Sequence, residues 1–193
     1  HQVIEREFMS PEEYPEMLGD FTGFMIRKYI PRAYKNLTGT SDIRLDPAIV
    51  LSTGLLSPLC TPQAQETFRL LGQIGEEDTK TAEMTAQYQA KIAAMGFPPM
   101  MTGRCEAPYD ILGDYFRGTM GIFEDLLDEE TQDYVEQACW MFADQQIQAL
   151  QYFRNASLPV RRVFFPLHKA MDGFMSAAQF ERFYWKPLKK IMM

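Results

Sequence analysis

The chain has 193 residues and a mass of 22.3 kDa, 46% of it hydrophobic and 23% charged, a balance that fits one globular domain and excludes a disordered tail, a collagen-like fibre or a coiled-coil rod. Nineteen basic against 26 acidic residues give a net charge of −7 and a pI near 4.9, so no broad basic surface is offered to nucleic acid or anionic lipid. The longest apolar runs, Ala48 to Leu51 and Val163 to Leu167, fall far short of the ~20 residues a membrane-spanning helix needs.

Ser10-Pro11-Glu12-Glu13 predicts a helix start, with a serine cap, proline at the first helical position and a glutamate closing a capping box. The short helix behind it carries Tyr14, Met17 and Leu18 and ends near Gly19. Phe21 to Tyr34 predicts a second helix interrupted at Pro31. Residues 36–59 mix Gly, Ser, Thr, Asp and Pro with short apolar stretches, the pattern of a long connection with some helical turns. Thr61-Pro62 opens the longest helix, whose Phe68, Leu71, Ile74, Met84, Tyr88, Ile92 and Met95 recur at about helical spacing. Gly96 closes it.

Phe97-Pro98-Pro99-Met100-Met101-Thr102 is a compact apolar run with the look of a buried strand. Asp128-Glu129-Glu130 starts another long helix, with Val135, Ala138, Cys139, Phe142, Ala149, Leu150 and Phe153 along its apolar side. Val163-Phe164-Phe165 is the strongest strand signal, and Pro166 ends its ladder. Ser176-Ala177-Ala178-Gln179 is a second capping box, opening a last helix with Phe180, Phe183, Tyr184, Leu188 and Ile191 inside. Strands separated by long helices predict parallel βα units, and so a helix-rich α/β fold. The expected organisation is one domain, with N-terminal helices and a connection over 1–60 and βα units over 61–193.

Cys60, Cys105 and Cys139 are odd in number and far apart, and the N-terminus is polar and charged. Both features fit a reducing cytoplasm better than a secreted disulfide scaffold. The chain starts without methionine and stops inside an amphipathic pattern at Lys189-Lys190-Ile191-Met192-Met193. It is expected to be a piece of a longer polypeptide, and its apolar faces to drive homo-oligomer formation.

In βα folds, functional groups gather just after the C-terminal ends of the strands. Two stretches hold that place: Gly103 to Gly118, and His168-Lys169-Ala170-Met171-Asp172-Gly173. Arg104 and Arg117 can hold an anion by paired hydrogen bonds, or pair with Glu106, Asp110 or Asp114 and stiffen the loop. Asp110 and Asp114, four apart, share a helix face and can divide acid and base roles, or form a solvated acidic turn. Tyr115 stands beside them. His168 follows the best strand and precedes a glycine-containing turn, which makes it a candidate acid, base or ligand, against the alternative of a hydrogen-bonded structural histidine. Lys169 and Asp172 join the candidate substrate-binding group. Cys105 has no second Cys or His at metal-ligand spacing, so no metal set is assigned.

Ala107-Pro108-Tyr109-Asp110-Ile111-Leu112-Gly113-Asp114-Tyr115-Phe116-Arg117-Gly118 resembles a segment of the uroporphyrinogen decarboxylase superfamily. Met175 to Ile191, with Gln179-Phe180-Glu181-Arg182-Phe183 and Pro187-Leu188-Lys189-Lys190-Ile191, is similar to a block near the end of the same family. Phe165-Pro166-Leu167-His168-Lys169 and Phe8-Met9-Ser10-Pro11-Glu12-Glu13-Tyr14 resemble its bacterial and archaeal branch. The resemblance covers nearly the whole chain. It implies a (β/α)8 barrel of about 250 residues or more, of which this chain holds the middle.

Family members decarboxylate porphyrinogens or move methyl groups between substrates, corrinoid proteins and thiols. In the methyltransferase branch a zinc-bound thiol is used, and the resemblance implies zinc ligands beyond Met193. Asp114 falls where decarboxylases carry a catalytic tyrosine, with Tyr115 one position on, and their active-site serine has no clear counterpart near His168. The resemblance therefore implies a corrinoid-linked methyltransferase in the full-length form, acting on a small-molecule or tetrapyrrole substrate. The alternatives are uroporphyrinogen decarboxylase itself, or an incomplete fragment that serves only for binding or assembly.

Overall fold

The computed structural model describes residues 6–41, 43–45, 53–155, 161–171 and 173–193. Capping chemistry sets where its helices begin. The Ser10 N–H donates to the Glu13 carboxylate at 3.0 Å, and a 3-10 turn, Pro11–Glu13, leads into α1 (Tyr14–Gly19). Asp20 accepts from the Gly23 N–H and starts α2, residues 21–33. This helix does not break at Pro31. A wide i→i+5 turn at Met25–Tyr29 comes just before it and absorbs the missing proline donor. Thr61 Oγ1 accepts from the Ala64 N–H at 3.2 Å and opens α3 (Pro62–Ala94), which Gly96 follows at φ 93°.

Beyond α3, the apolar run 97–102 is not a strand. Pro98 and Pro99 have no N–H to give a ladder, and Phe97 and Met100 are exposed. The strand lies just after it, as β1 (Gly103–Arg104), and pairs in parallel with β2 (Val163–Phe164) in the register Gly103↔Val163, Arg104↔Phe164. Between the strands come α4 (residues 108–117, whose second half, Leu112–Arg117, is another wide turn), α5 (Gly118–Glu124) and α6 (Glu129–Asn155). Ser176 Oγ accepts from the Gln179 N–H, the Ser176 N–H donates to Gln179 Oε1, and this closed capping box starts α7, residues 177–192. The structure is thus helix-rich with a parallel β pair, as the order of elements predicted.

The described residues form two compact units: Gly19–Pro98, and a discontinuous unit of the segment up to Leu18 with Pro99–Met193. In the discontinuous unit, Tyr14, Met17, Tyr109, Leu112, Ile122, Val135, Ala138, Cys139, Phe183, Tyr184 and Leu188 are buried together in one core. Removing a large apolar side chain of this kind from water contributes about 1.5–3 kcal/mol. The unit 19–98 buries far less among its described residues: Phe24, Leu37, Ala64 and Thr67 are inside, whereas Phe68, Leu71, Ile74, Met84 and Tyr88 of α3 are exposed. Among the described residues no helix is long and apolar enough to cross a membrane.

Candidate functional site

The segments that follow β1 and β2 meet around Asp110. This aspartate, on the first turn of α4, is fully buried. Its carboxylate accepts from the backbone N–H of His168 (3.3 Å) and of Lys169 (3.1 Å), and from the Tyr184 hydroxyl (2.7 Å). One side chain thereby ties α4 to α7 and fixes the backbone just downstream of β2. Burial pushes the Asp110 carboxyl above the ordinary aspartate range, and the donors from Tyr184, His168 and Lys169 pull the other way. The Tyr184 phenol is in turn raised well above its usual value by burial and by the carboxylate it serves.

With its backbone so held, His168 places Nε2 2.7 Å from Asp114 Oδ2, and Nδ1 3.6 Å from Asp110 Oδ2. The imidazole is about half exposed, whereas Asp114 is largely covered. Lys169 turns inward: its Nζ lies 2.8 Å from Asp114 Oδ1 and donates to Thr119 Oγ1 at 2.9 Å. The lysine stem is buried against Gly113, where a Cβ would sit 2.5 Å from Lys169 Cε. Glycine is what allows the lysine to pass. The result is a chain Lys169–Asp114–His168: a covered cation fixes a carboxylate, and the carboxylate fixes an imidazole that faces solvent. Such an arrangement can accept, hold and return a proton at His168.

Tyr115 points elsewhere. Its hydroxyl donates to Glu106 Oε1 (3.2 Å), to which Arg104 also donates (2.6 Å). These residues, with Cys105, Ile111 and Gln146, line a shallow hollow of about 260 Å³. Gln146 of α6 clamps the backbone there, accepting from the Glu106 N–H and donating to its carbonyl, both at 2.8 Å. Arg104 thus pairs with Glu106 while its side chain stays largely exposed, and burial raises the Cys105 thiol.

Arg117 is deeply buried. Its guanidinium makes a two-pronged pair with Asp125 (2.7 and 2.9 Å) and donates to the Met9 carbonyl, while the Tyr14 hydroxyl donates to Asp125 at 2.6 Å. This network joins the N-terminal segment to α4 and α5, and leaves the guanidinium no open side for a substrate anion. Asp172 lies outside the described residues. The structure therefore brings Asp110, Asp114, His168 and Lys169 into one cluster, with Tyr115 and Arg104 in a neighbouring one and Arg117 in the core.

Sequence reasoning missed Tyr184, Thr119 and Gly113. Tyr184 sits at helical spacing among Phe180, Phe183 and Leu188, where an aromatic reads as core. Its hydroxyl partner lies 74 residues away in the chain. Among the described residues no group of three His, Cys, Asp or Glu side chains is arranged to hold a metal ion. The cluster has two carboxylates and one imidazole, but Lys169 occupies the position a cation would take. It does not fit a resident zinc.

The fold and cluster together define a class, a helix-rich protein with a parallel β pair and a histidine–carboxylate site at the strand ends. No protein-family model, curated protein or solved structure matches the chain.

Proposed function

We propose that this chain is the middle of a (β/α)8 barrel of the uroporphyrinogen decarboxylase superfamily, and that the full-length protein is a corrinoid-linked methyltransferase of the cytoplasm. The observation that carries the reading is the convergence of Asp110 and Asp114, downstream of β1, with His168 and Lys169, downstream of the parallel β2. In barrels of parallel strands that is where reacting groups collect. The segments that supply the cluster are also the ones that resemble the superfamily.

In this reading His168 is the catalytic residue and Asp110, Asp114 and Lys169 position it. A methyl group leaves a nitrogen, oxygen or sulfur atom of the donor and passes to a corrinoid substrate carried by a partner protein. The electron pair of the broken bond stays on the leaving atom, which takes the proton that His168 delivers. Asp114 stabilises the imidazolium before transfer, and Lys169 with Thr119 keeps that carboxylate from swinging away. Asp110 holds the backbone of both residues.

The test uses the full-length protein with methylated thiols, amines and ethers as donors and free cob(I)alamin as acceptor, followed by the visible spectrum of the corrinoid. His168→Gln is expected to lower turnover by about a hundredfold with an unchanged thermal midpoint. Unchanged turnover would remove His168 from the mechanism. Decarboxylation of uroporphyrinogen without methyl transfer would replace the methyltransferase reading by the decarboxylase one.

A further inference from the structure

We propose that α3 is a dimerisation surface whose occupant is the α3 of a second copy, packed antiparallel. From Leu70 to Met95, residues spaced alternately four and three apart form a single seam over about 38 Å of helix. Beyond Leu70 this seam is exposed: Ile74 is 47%, Met84 70%, Tyr88 67% and Met95 73% accessible. A run of nearly four heptads is long enough for a specific helix pair.

The charges on the seam choose orientation and register. A parallel pair would set Glu77 on Glu77 and Lys91 on Lys91, both repulsive. In the antiparallel pair the facing residue numbers add to 165. Leu70 then meets the partner's Met95, Ile74 the partner's Lys91, Glu77 the partner's Tyr88 and Thr81 the partner's Met84. Glu77 lies one layer, roughly 4.5 Å, from the partner's Lys91, and the phenol of the partner's Tyr88 can donate to its carboxylate. Among the described residues of one chain Glu77 pairs with Lys80, an exposed i,i+3 contact at 2.6 Å that contributes little and can be shared across the interface.

The same register explains a cavity. A hollow of about 560 Å³, whose lining includes Tyr34, Leu37, Leu70, Ile74 and Glu77 along with polar residues such as Asn36 and Gln73, opens beside the first layer of the seam. The residue that faces Leu70 there is the partner's Met95, a flexible thioether suited to an irregular apolar recess. The twofold axis repeats the arrangement at the other end, so a Met95 enters each hollow.

Light scattering on the 193-residue chain is expected to give twice 22.3 kDa. Met84→Glu, which puts a charge into a central layer, should raise the dimer dissociation constant by at least about tenfold. Glu77→Lys should raise it about fivefold, and adding Lys91→Glu should bring it back to within about twofold of the parent. All of these positions are exposed in the single chain, so thermal midpoints measured at low concentration should not move. A 22.3 kDa species at every concentration overturns the proposal, as does a dimer indifferent to Met84→Glu. A dimer weakened by Glu77→Lys but not restored by Lys91→Glu overturns the antiparallel register.

Discussion

The two units of this chain use charge in opposite ways. In the discontinuous unit, ionisable groups are drawn into the core and satisfied there: Asp110 by two backbone N–H groups and a phenol, Arg117 by Asp125 and a carbonyl. In the unit 19–98, ion pairs such as Arg69–Glu66 and Lys80–Glu77 lie on the surface, one helical turn apart, over a small core. A buried pair broken on one side leaves an uncompensated charge out of water, whereas an exposed pair broken on one side is simply hydrated. The difference teaches where sequence change should be felt. The unit with the candidate site adds buried polar contacts between distant segments to its apolar core, and the other has a smaller described core with these ion pairs on its surface.

Three perturbations probe that contrast. Arg117→Ala should have the largest effect, because it leaves Asp125 buried with only the Tyr14 hydroxyl, at an expected cost of about 3–5 kcal/mol. Urea unfolding followed by near-ultraviolet dichroism of the tyrosines, beside far-ultraviolet dichroism, should show the aromatic signal lost first. Loss of both signals together at low urea would mean that the two units share one folding transition and would erase the distinction.

Tyr184→Phe comes next. It deletes one hydrogen bond to a buried carboxylate and keeps the ring, so the expected cost is about 1.5–3 kcal/mol in the same unfolding experiment. A loss near zero would show that Asp110 does not depend on α7.

The smallest effect is a pH slope. Because burial raises Asp110 in the folded chain above its ordinary value of 3.8, the native state binds more protons than the unfolded state between those two values. Stability therefore falls as pH rises through that window, by up to about 1.4 kcal/mol per pH unit, and the loss is complete above it. Asp110→Asn should flatten this slope. Tyr184→Phe, by removing a donor that lowers the Asp110 pKa, should move the window upward. A slope unchanged by Asp110→Asn would assign the titration to another group.

Much of the local structure was legible in the sequence because its causes are local. The capping box at Ser176–Gln179, the Thr61 cap before Pro62 and the acidic start of α6 are contacts within one helical turn, and each formed where the pattern placed it. Parallel pairing was legible from the long helices between the strands. The periodicity of α3 marked it as a helix, and spacing of this kind records which residues share a face but not whether anything covers it. The run Phe97–Thr102 misled for a related reason: its apolar content suggested a strand, but two prolines removed the donors a strand requires.

The candidate site divides along the same line. The sequence by itself determined which titratable residues follow each strand, and so proposed Asp110, Asp114, His168 and Lys169 before any geometry was known. It could not tell that Arg117 is consumed by Asp125, that Tyr184 completes the Asp110 clamp, or that Gly113 lets Lys169 through. Those facts depend on pairs of groups far apart in the chain, and only the packed backbone sets which donors reach which carboxylates.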